Sequence, residues 1–283
     1  MRFSSPRFLS AGTSIVLGLT LLGASPALAT TVSSFAPFSA TPSDGSWYEK
    51  NVVAGGTASV VSLSGVGGNL ENNQPLASGA ARITTGTSNN DQAEVGVGDH
   101  YGNASAALTD ASFQVSYDFY KSSVGDLNPW AAPAIRLTIS NPAAAGDNIG
   151  ALVYEPYWQT SPMAHIPADD WLSVSITSTA GLFWWDGGLG QSKSFGGPPL
   201  RTLSEWVGSF DSSFDDANLV ALSLSVGSYN QGQTGYFDDV SISFTGYSAS
   251  YDFEPIPEPT TALLLSLGLV GLAARRRKAP ATP

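Results

Sequence analysis

The strongest constraint on the fold is a side-chain alternation of period two. Phe113, Val115, Tyr117 and Phe119 alternate with Gln114, Ser116 and Asp118, the pattern of a strand with one face buried and one face wet. It returns in Ile135, Leu137 and Ile139, in Leu172, Val174 and Ile176, and in Val220, Leu222, Leu224 and Val226. Weaker candidates lie at 58–63, 80–85, 92–97, 149–154 and 182–185. Turn residues such as Asn141-Pro142, Gly187-Gly188 and Gly196-Gly197-Pro198-Pro199 stand between them. The stretches at 64–74 and 86–91 have loop length rather than linker length. No segment between the ends shows a convincing amphipathic helix, although 203–207 could form a short turn. About ten strands without βαβ alternation predict an all-β, antiparallel β-sandwich forming a single domain.

The two ends follow other rules. Arg2 and Arg7 precede an apolar stretch over 8–22, and Ala27-Leu28-Ala29 offers the small-x-small pattern that signal peptidase cuts after. Residues 1–29 therefore read as a signal peptide, with Thr30 as the mature start. At the other end, Pro255-Ile256-Pro257-Glu258-Pro259 forbids helix and favours an accessible, extended backbone. An uncharged run over 260–274 follows, then Arg275-Arg276-Arg277-Lys278. As a helix the run covers roughly 22 Å, short of the roughly 30 Å hydrocarbon core. The basic tail at 275–278 can snorkel and stays cytoplasmic under the positive-inside rule, which places the body across the membrane.

Without those ends the acidic excess of the chain grows from a net charge of −11. Residues 30–255 hold 22 carboxylates against six cations, a net charge of about −16. Nucleic acid is excluded as a partner class, because phosphate binding needs clustered cations. The acidity suits solubility outside the cell and divalent counterions. Cysteine is absent, so an exported body must be held by its core, and thiolate catalysis and zinc-thiolate sites are ruled out.

The order Pro257-Glu258-Pro259, short apolar helix and Arg275, Arg276 and Arg277 resembles the PEP-CTERM sorting signal of Gram-negative bacteria. The resemblance implies an exosortase as partner. It also implies transient anchoring in the inner membrane with the body in the periplasm, then release to the cell surface or matrix among exopolysaccharide. The domains are thus expected as a signal peptide at 1–29, a β-sandwich at 30–250 and a sorting signal at 251–283. The final expected strand, Gly235-Tyr236-Phe237-Asp238-Asp239-Val240-Ser241-Ile242-Ser243-Phe244, resembles the closing strand of jelly-roll modules of the carbohydrate-binding and lectin-like type. Asp44-Gly45-Ser46-Trp47-Tyr48 is similar to the openings of extracellular jelly rolls with this tail.

On the parity that buries Val240, Ile242 and Phe244, Asp238 faces the same side. A carboxylate turned inward needs a partner. The jelly-roll resemblance implies a structural Ca²⁺ at Asp238 or Asp239, with Asp44 and Glu49 as further candidate ligands; the alternative is a carboxylate accepting loop N–H bonds. Sugar binding would need exposed aromatic faces beside polar groups. Trp184, Trp185, Tyr157 and Trp158 are the candidates, with Trp130 and Tyr154. Trp184 and Trp185 cannot share one sheet face, so at least one is expected to point outward.

Catalysis has little support. No closely spaced acid triplet of the Glu-x-Asp-x-Glu kind appears, no Gly-x-Ser-x-Gly elbow appears, and His100 and His165 lack metal-ligand spacing. The sequence therefore points to a non-catalytic exported surface or matrix protein. A carbohydrate-binding module is the alternative, and an unrecognised polysaccharide hydrolase stands behind both.

Overall fold

The computed structural model describes residues 28–39, 43–53, 55–144, 146–194 and 196–256. The calls on Ala27, on Pro257, Glu258 and Pro259, on the apolar run at 260–274 and on Arg275, Arg276 and Arg277 lie outside the described residues. Among the described residues no helix is long and apolar enough to cross a membrane.

The alternating segments form two facing sheets. The first is antiparallel, in the order β10 (Phe183–Trp185), β8 (Ile149–Tyr154), β7 (Ala134–Ser140), β11 (Asn218–Val226), β5 (Gln92–Gly98) and β2 (Trp47–Val53). The second is built around β12 (Thr234–Phe244). One edge of β12 pairs with β6 (Gln114–Lys121), which pairs with β9 (Trp171–Thr177). The other edge is divided. Residues 234–237 pair with β4 (Gly79–Thr84), itself paired with β3 (Thr57–Ser62), whereas 240–244 pair with β13 (Tyr247–Phe253). β13 also carries β1 (Thr30–Val32) in parallel, an exception in an otherwise antiparallel sandwich.

Residues turned inward from both sheets make one core. Ile135, Leu137, Ile139, Leu222 and Leu224 meet Val115, Tyr117, Phe119, Phe237 and Val240, all buried. Trp47 packs edge-on to Phe253 at 4.9 Å and to Tyr251 at 5.4 Å between ring centroids, geometries that favour aromatic pairs. A second aromatic column, Trp185, Phe210, Trp206 and Phe214, closes one flank. Trp206 sits on the short helix Leu203–Val207, fixed by a Thr202/Glu205 capping box.

Three sequence expectations are corrected. Strand β12 is not the last: the 245–246 turn, with Gly246 at φ 84°, returns the chain as β13, whose Tyr247, Tyr251 and Phe253 pack inward. The sandwich therefore continues to Phe253, past the expected boundary at residue 250. The stretch 68–72, expected as loop, forms a short helix, and so does 104–109, in a body expected to hold no convincing helix; the second is capped by the Asn103 side chain, which accepts the Ala106 N–H.

The third concerns Asp238. Pairing with β6 shifts between Asp238 and Ser241, and Asp239 takes φ 48°. This bulge lets Phe237 and Val240 both enter the core, so strand parity reverses across it. Asp238 pairs with Asp118, on the face opposite Tyr117 and Phe119, rather than facing the same side as Val240. It is buried because it lies where the β12 edge changes partner. There Asp238 Oδ1 accepts the Phe253 N–H at 3.0 Å, and Glu254 Oε1 accepts the Gly79 N–H at 3.0 Å. Carboxylates fill ladder positions that no strand supplies.

Candidate functional site

The chemistry gathers on the outer face of the six-stranded sheet. Where Ile135, Leu137 and Ile139 face the core, Arg136 and Thr138 face out; Leu222 and Leu224 likewise leave Ser223 outward, and Val95 leaves Glu94. Register brings these side chains together from four strands. Glu94 Oε1 lies 3.0 Å from Lys50 Nζ, 3.3 Å from Arg136 Nε without hydrogen-bond geometry, and accepts the Ser223 hydroxyl at 2.6 Å. Lys50 also donates to Thr138 Oγ1 at 2.7 Å. Arg136 Nη2 reaches Asp186 Oδ2 at 2.6 Å, and Lys193 Nζ reaches Asp186 Oδ1 at 2.7 Å.

This chain of charges forms the floor of a cleft of about 450 Å³, walled by Phe38, Asp147 and Ile149. Burial pushes the Glu94 carboxyl up, but the Lys50 and Arg136 charges and the Ser223 hydroxyl outweigh it and hold it below its usual range. At Asp186 burial is likewise overcome, by Lys193 and Arg136. Both carboxylates stay ionised, giving a fixed array of donors and acceptors.

A smaller pocket of about 220 Å³ is lined by Trp130, Glu155, Tyr157, Trp158, Met163 and Asn230, among others. Glu155 follows β8 directly. Its Oε2 accepts the Tyr157 hydroxyl at 3.1 Å and the Trp184 Nε1–H at 2.8 Å. Here burial outweighs those bonds and the Arg136 field, and the carboxyl is pushed above its usual range. Gln159 clamps the turn Pro156–Gln159 that carries Tyr157 and Trp158, donating to Glu155 O and Leu182 O and accepting from Leu182 N–H. The opposite wall is held by Lys121, a buried cation bonded to Asp126 and to Asn128 O, while Asn128 bonds Asn230.

Of the candidate aromatics, the structure brings Trp130, Tyr157 and Trp158 together in this pocket, each partly exposed. Tyr154 packs inward on Phe183. Trp184 and Trp185 do point to opposite faces, yet the expected outward exposure is corrected: Trp185 is fully buried, and Trp184 is 8% exposed. The outward ring is covered by Ala151, Val153, Trp158 and Leu200, a small second core on the outer face.

Asp239 is exposed beside the fork, and Asp238 Oδ2 is buried without a hydrogen-bond partner. Among the described residues no three His, Asp or Glu side chains are grouped to hold a metal. Asp44 instead lies 3.2 Å from His100. The donor set is thin for Ca²⁺, which takes six to eight oxygens.

Lys50, Glu94, Arg136 and Asp186 were not singled out in the sequence. The available signal was that Glu94 and Arg136 stand inside strand-like segments, but only the register shows that they converge with Lys50 and Asp186.

Comparison with solved structures finds the family 11 carbohydrate-binding module from Clostridium thermocellum in complex with a β-1,3-1,4-mixed-linked tetrasaccharide, at 13% identity and TM-score 0.39, covering 69% of this chain and 87% of that one. It also finds an endo-β-1,4-glucuronan lyase from the fungus Trichoderma reesei, at 15% identity and TM-score 0.38, covering 74% and 94%. No curated protein matches the chain. The PEP-CTERM protein-sorting motif matches residues 255–278, so the chain carries the signal of an exported, exosortase-sorted protein.

Proposed function

We propose that this is a non-catalytic exported protein whose body holds a polysaccharide on the outer face of its six-stranded sheet. Signal peptidase acts after Ala29, and an exosortase processes the tail of a Gram-negative inner-membrane intermediate, delivering the body to exopolysaccharide at the cell surface. The observation that supports the binding role is the cleft itself. Side chains from neighbouring strands are locked into fixed donors and acceptors beside a pocket with aromatic walls. Sugar hydroxyls pair with the first kind of surface, and sugar C–H faces stack on the second. Tyr157 and Trp158 are assigned to contact, with Trp184 as the support packed against Trp158 and Trp185 anchoring the same strand from the core face.

Affinity electrophoresis against neutral, acidic and amino polysaccharides tests this reading. Retention is expected on at least one polymer, weakened about tenfold, or about 1.4 kcal/mol, by Trp158→Ala and by Lys193→Ala at unchanged melting temperature. Migration unaffected by every polymer would remove the binding role. Release of reducing ends or of unsaturated uronate would transfer the cleft to an enzyme.

The orphaned Asp238 oxygen supports a second reading of the fork, a structural Ca²⁺ shared with Asp239. Calcium titration heat together with a melting temperature lowered by chelator is its test, and the absence of both would dismiss it.

A further inference from the structure

The aromatic pocket differs in charge from the cleft beside it. On the floor of the cleft both carboxylates are matched: Glu94 by Lys50 and Arg136, Asp186 by Arg136 and Lys193. Glu155 forms no salt bridge among the described residues, and no cation lines its pocket. Its only charged neighbour of opposite sign is Arg136, already paired twice, acting at longer range. The walls are Trp130, Tyr157 and Trp158, with the Tyr157 and Trp158 ring centroids 5.1 Å apart and Met163 at the rim. His165 stands edge-on to Trp130 at 4.2 Å.

Three electron-rich rings around an unmatched carboxylate are a poor site for an anion and an ordinary one for a neutral sugar. They suit a cation better, because a ring face attracts an alkylammonium and the effect grows once water is excluded. Size points the same way: about 220 Å³ accommodates one small group rather than a run of residues. The buried Trp158 Nε1–H lies beside Glu155 and acts on its carboxylate without meeting full hydrogen-bond geometry. A ligand that matches this carboxylate carries an ammonium.

We infer that this pocket binds a protonated or quaternary amine, the charge carried by a 2-amino-2-deoxy sugar unit. The inference rests on the polysaccharide reading for its source, though not for its chemistry. Glu155 supplies the counter-charge, and Trp130, Tyr157 and Trp158 the aromatic walls.

Isothermal titration of the full secreted protein with glucosamine, glucose, N-acetylglucosamine and choline tests it. Glucosamine is expected to bind at least tenfold more tightly than glucose or N-acetylglucosamine, since acetylation removes the charge. Choline binding as tightly as glucosamine also supports the cation site, and assigns it to small quaternary amines instead of a polymer. Glu155→Gln keeps an acceptor for Tyr157 and Trp184 and should erase the preference for the amine. Trp130→Leu, which leaves Glu155 in place, should lower the glucosamine-to-glucose affinity ratio severalfold. Equal affinity for glucose and glucosamine, or a ratio unchanged in both variants, overturns the inference. Retention on neutral polymers without amine preference would defeat this inference alone. Amine binding without retention on any polymer would defeat the polysaccharide reading alone.

Discussion

At Asp238 a carboxylate does the work of a missing strand. Burial pushes its pKa up to about 7, against the Phe253 and Asp239 N–H groups and with the fields of Asp252 and Asp239, whereas an unfolded chain titrates it near 3.9. The native state therefore holds this proton more tightly than the unfolded state. Its contribution is fully present below about pH 4, is lost as pH rises towards about 7, and levels above that. The span is worth about 4 kcal/mol at most. Asp238→Asn keeps an oxygen for the Phe253 N–H and cannot ionise. The urea midpoint of the variant minus that of the natural protein should rise between pH 5 and pH 8 and be positive at pH 8. A difference flat over that range would show that Asp238 stays ionised in the native state, as a bound cation would require. The sequence revealed that an acid stood on this strand and had to be satisfied. It could not reveal the bulge, because a partner change along one strand edge leaves no local pattern.

Strand existence was legible because alternation is local, and strand neighbours were not, because pairing is set by contacts far apart in the chain. Ile135, Leu137 and Ile139 mark β7 unaided, yet nothing near Arg136 says that Glu94 lies across two ladders from it. Strand β13 had its own alternation in Tyr247, Ala249, Tyr251 and Phe253, masked by the likeness of β12 to a closing strand. The aromatic pocket was half legible: Tyr157 and Trp158 stood out as residues, while Trp130 joins them only because the loop after β6 folds back. Lys121 fixes that loop. Its ammonium is 1% exposed, 2.9 Å from Asp126 Oδ2 and 2.7 Å from Asn128 O. Lys121→Met leaves Asp126 without its cation, and losing one partner of a buried pair costs about 3–5 kcal/mol. The urea midpoint should fall accordingly, and Trp130→Phe in the same background should remove most of any red shift in tryptophan emission. A midpoint within about 0.5 kcal/mol of the natural protein would mean that water replaces the pair without loss.

The described strands run from Thr30 to Phe253, between the two proposed cleavage sites. Leu28 is 95% exposed, and the first ladder partner is Thr30, opposite Tyr251. At the other end the Glu254 N–H donates to Val32 O, and by Ile256 the side chain is 70% exposed. The sheet thus closes on β1 and β13 together, and cleavage before Thr30 or beyond Ile256 removes no strand. The body left behind carries the acidic excess, since the discarded ends hold half of the twelve Lys and Arg residues. Like charges on a body of about −16 keep released molecules apart and favour a cationic partner. Recognition by the exosortase should reside in the motif rather than in the sandwich. Glu258→Ala, and truncation after Pro259, should each block normal processing while the body keeps its melting temperature. Intact mass of the secreted protein, with and without the exosortase, reads both cuts at once: an N-terminus at Thr30, and a C-terminus within or beyond the Pro-Glu-Pro segment only when the enzyme is present. Unchanged cleavage and surface delivery in both variants would mean that the apolar run and its arginines act as an ordinary anchor, and that the body reaches the surface by another route.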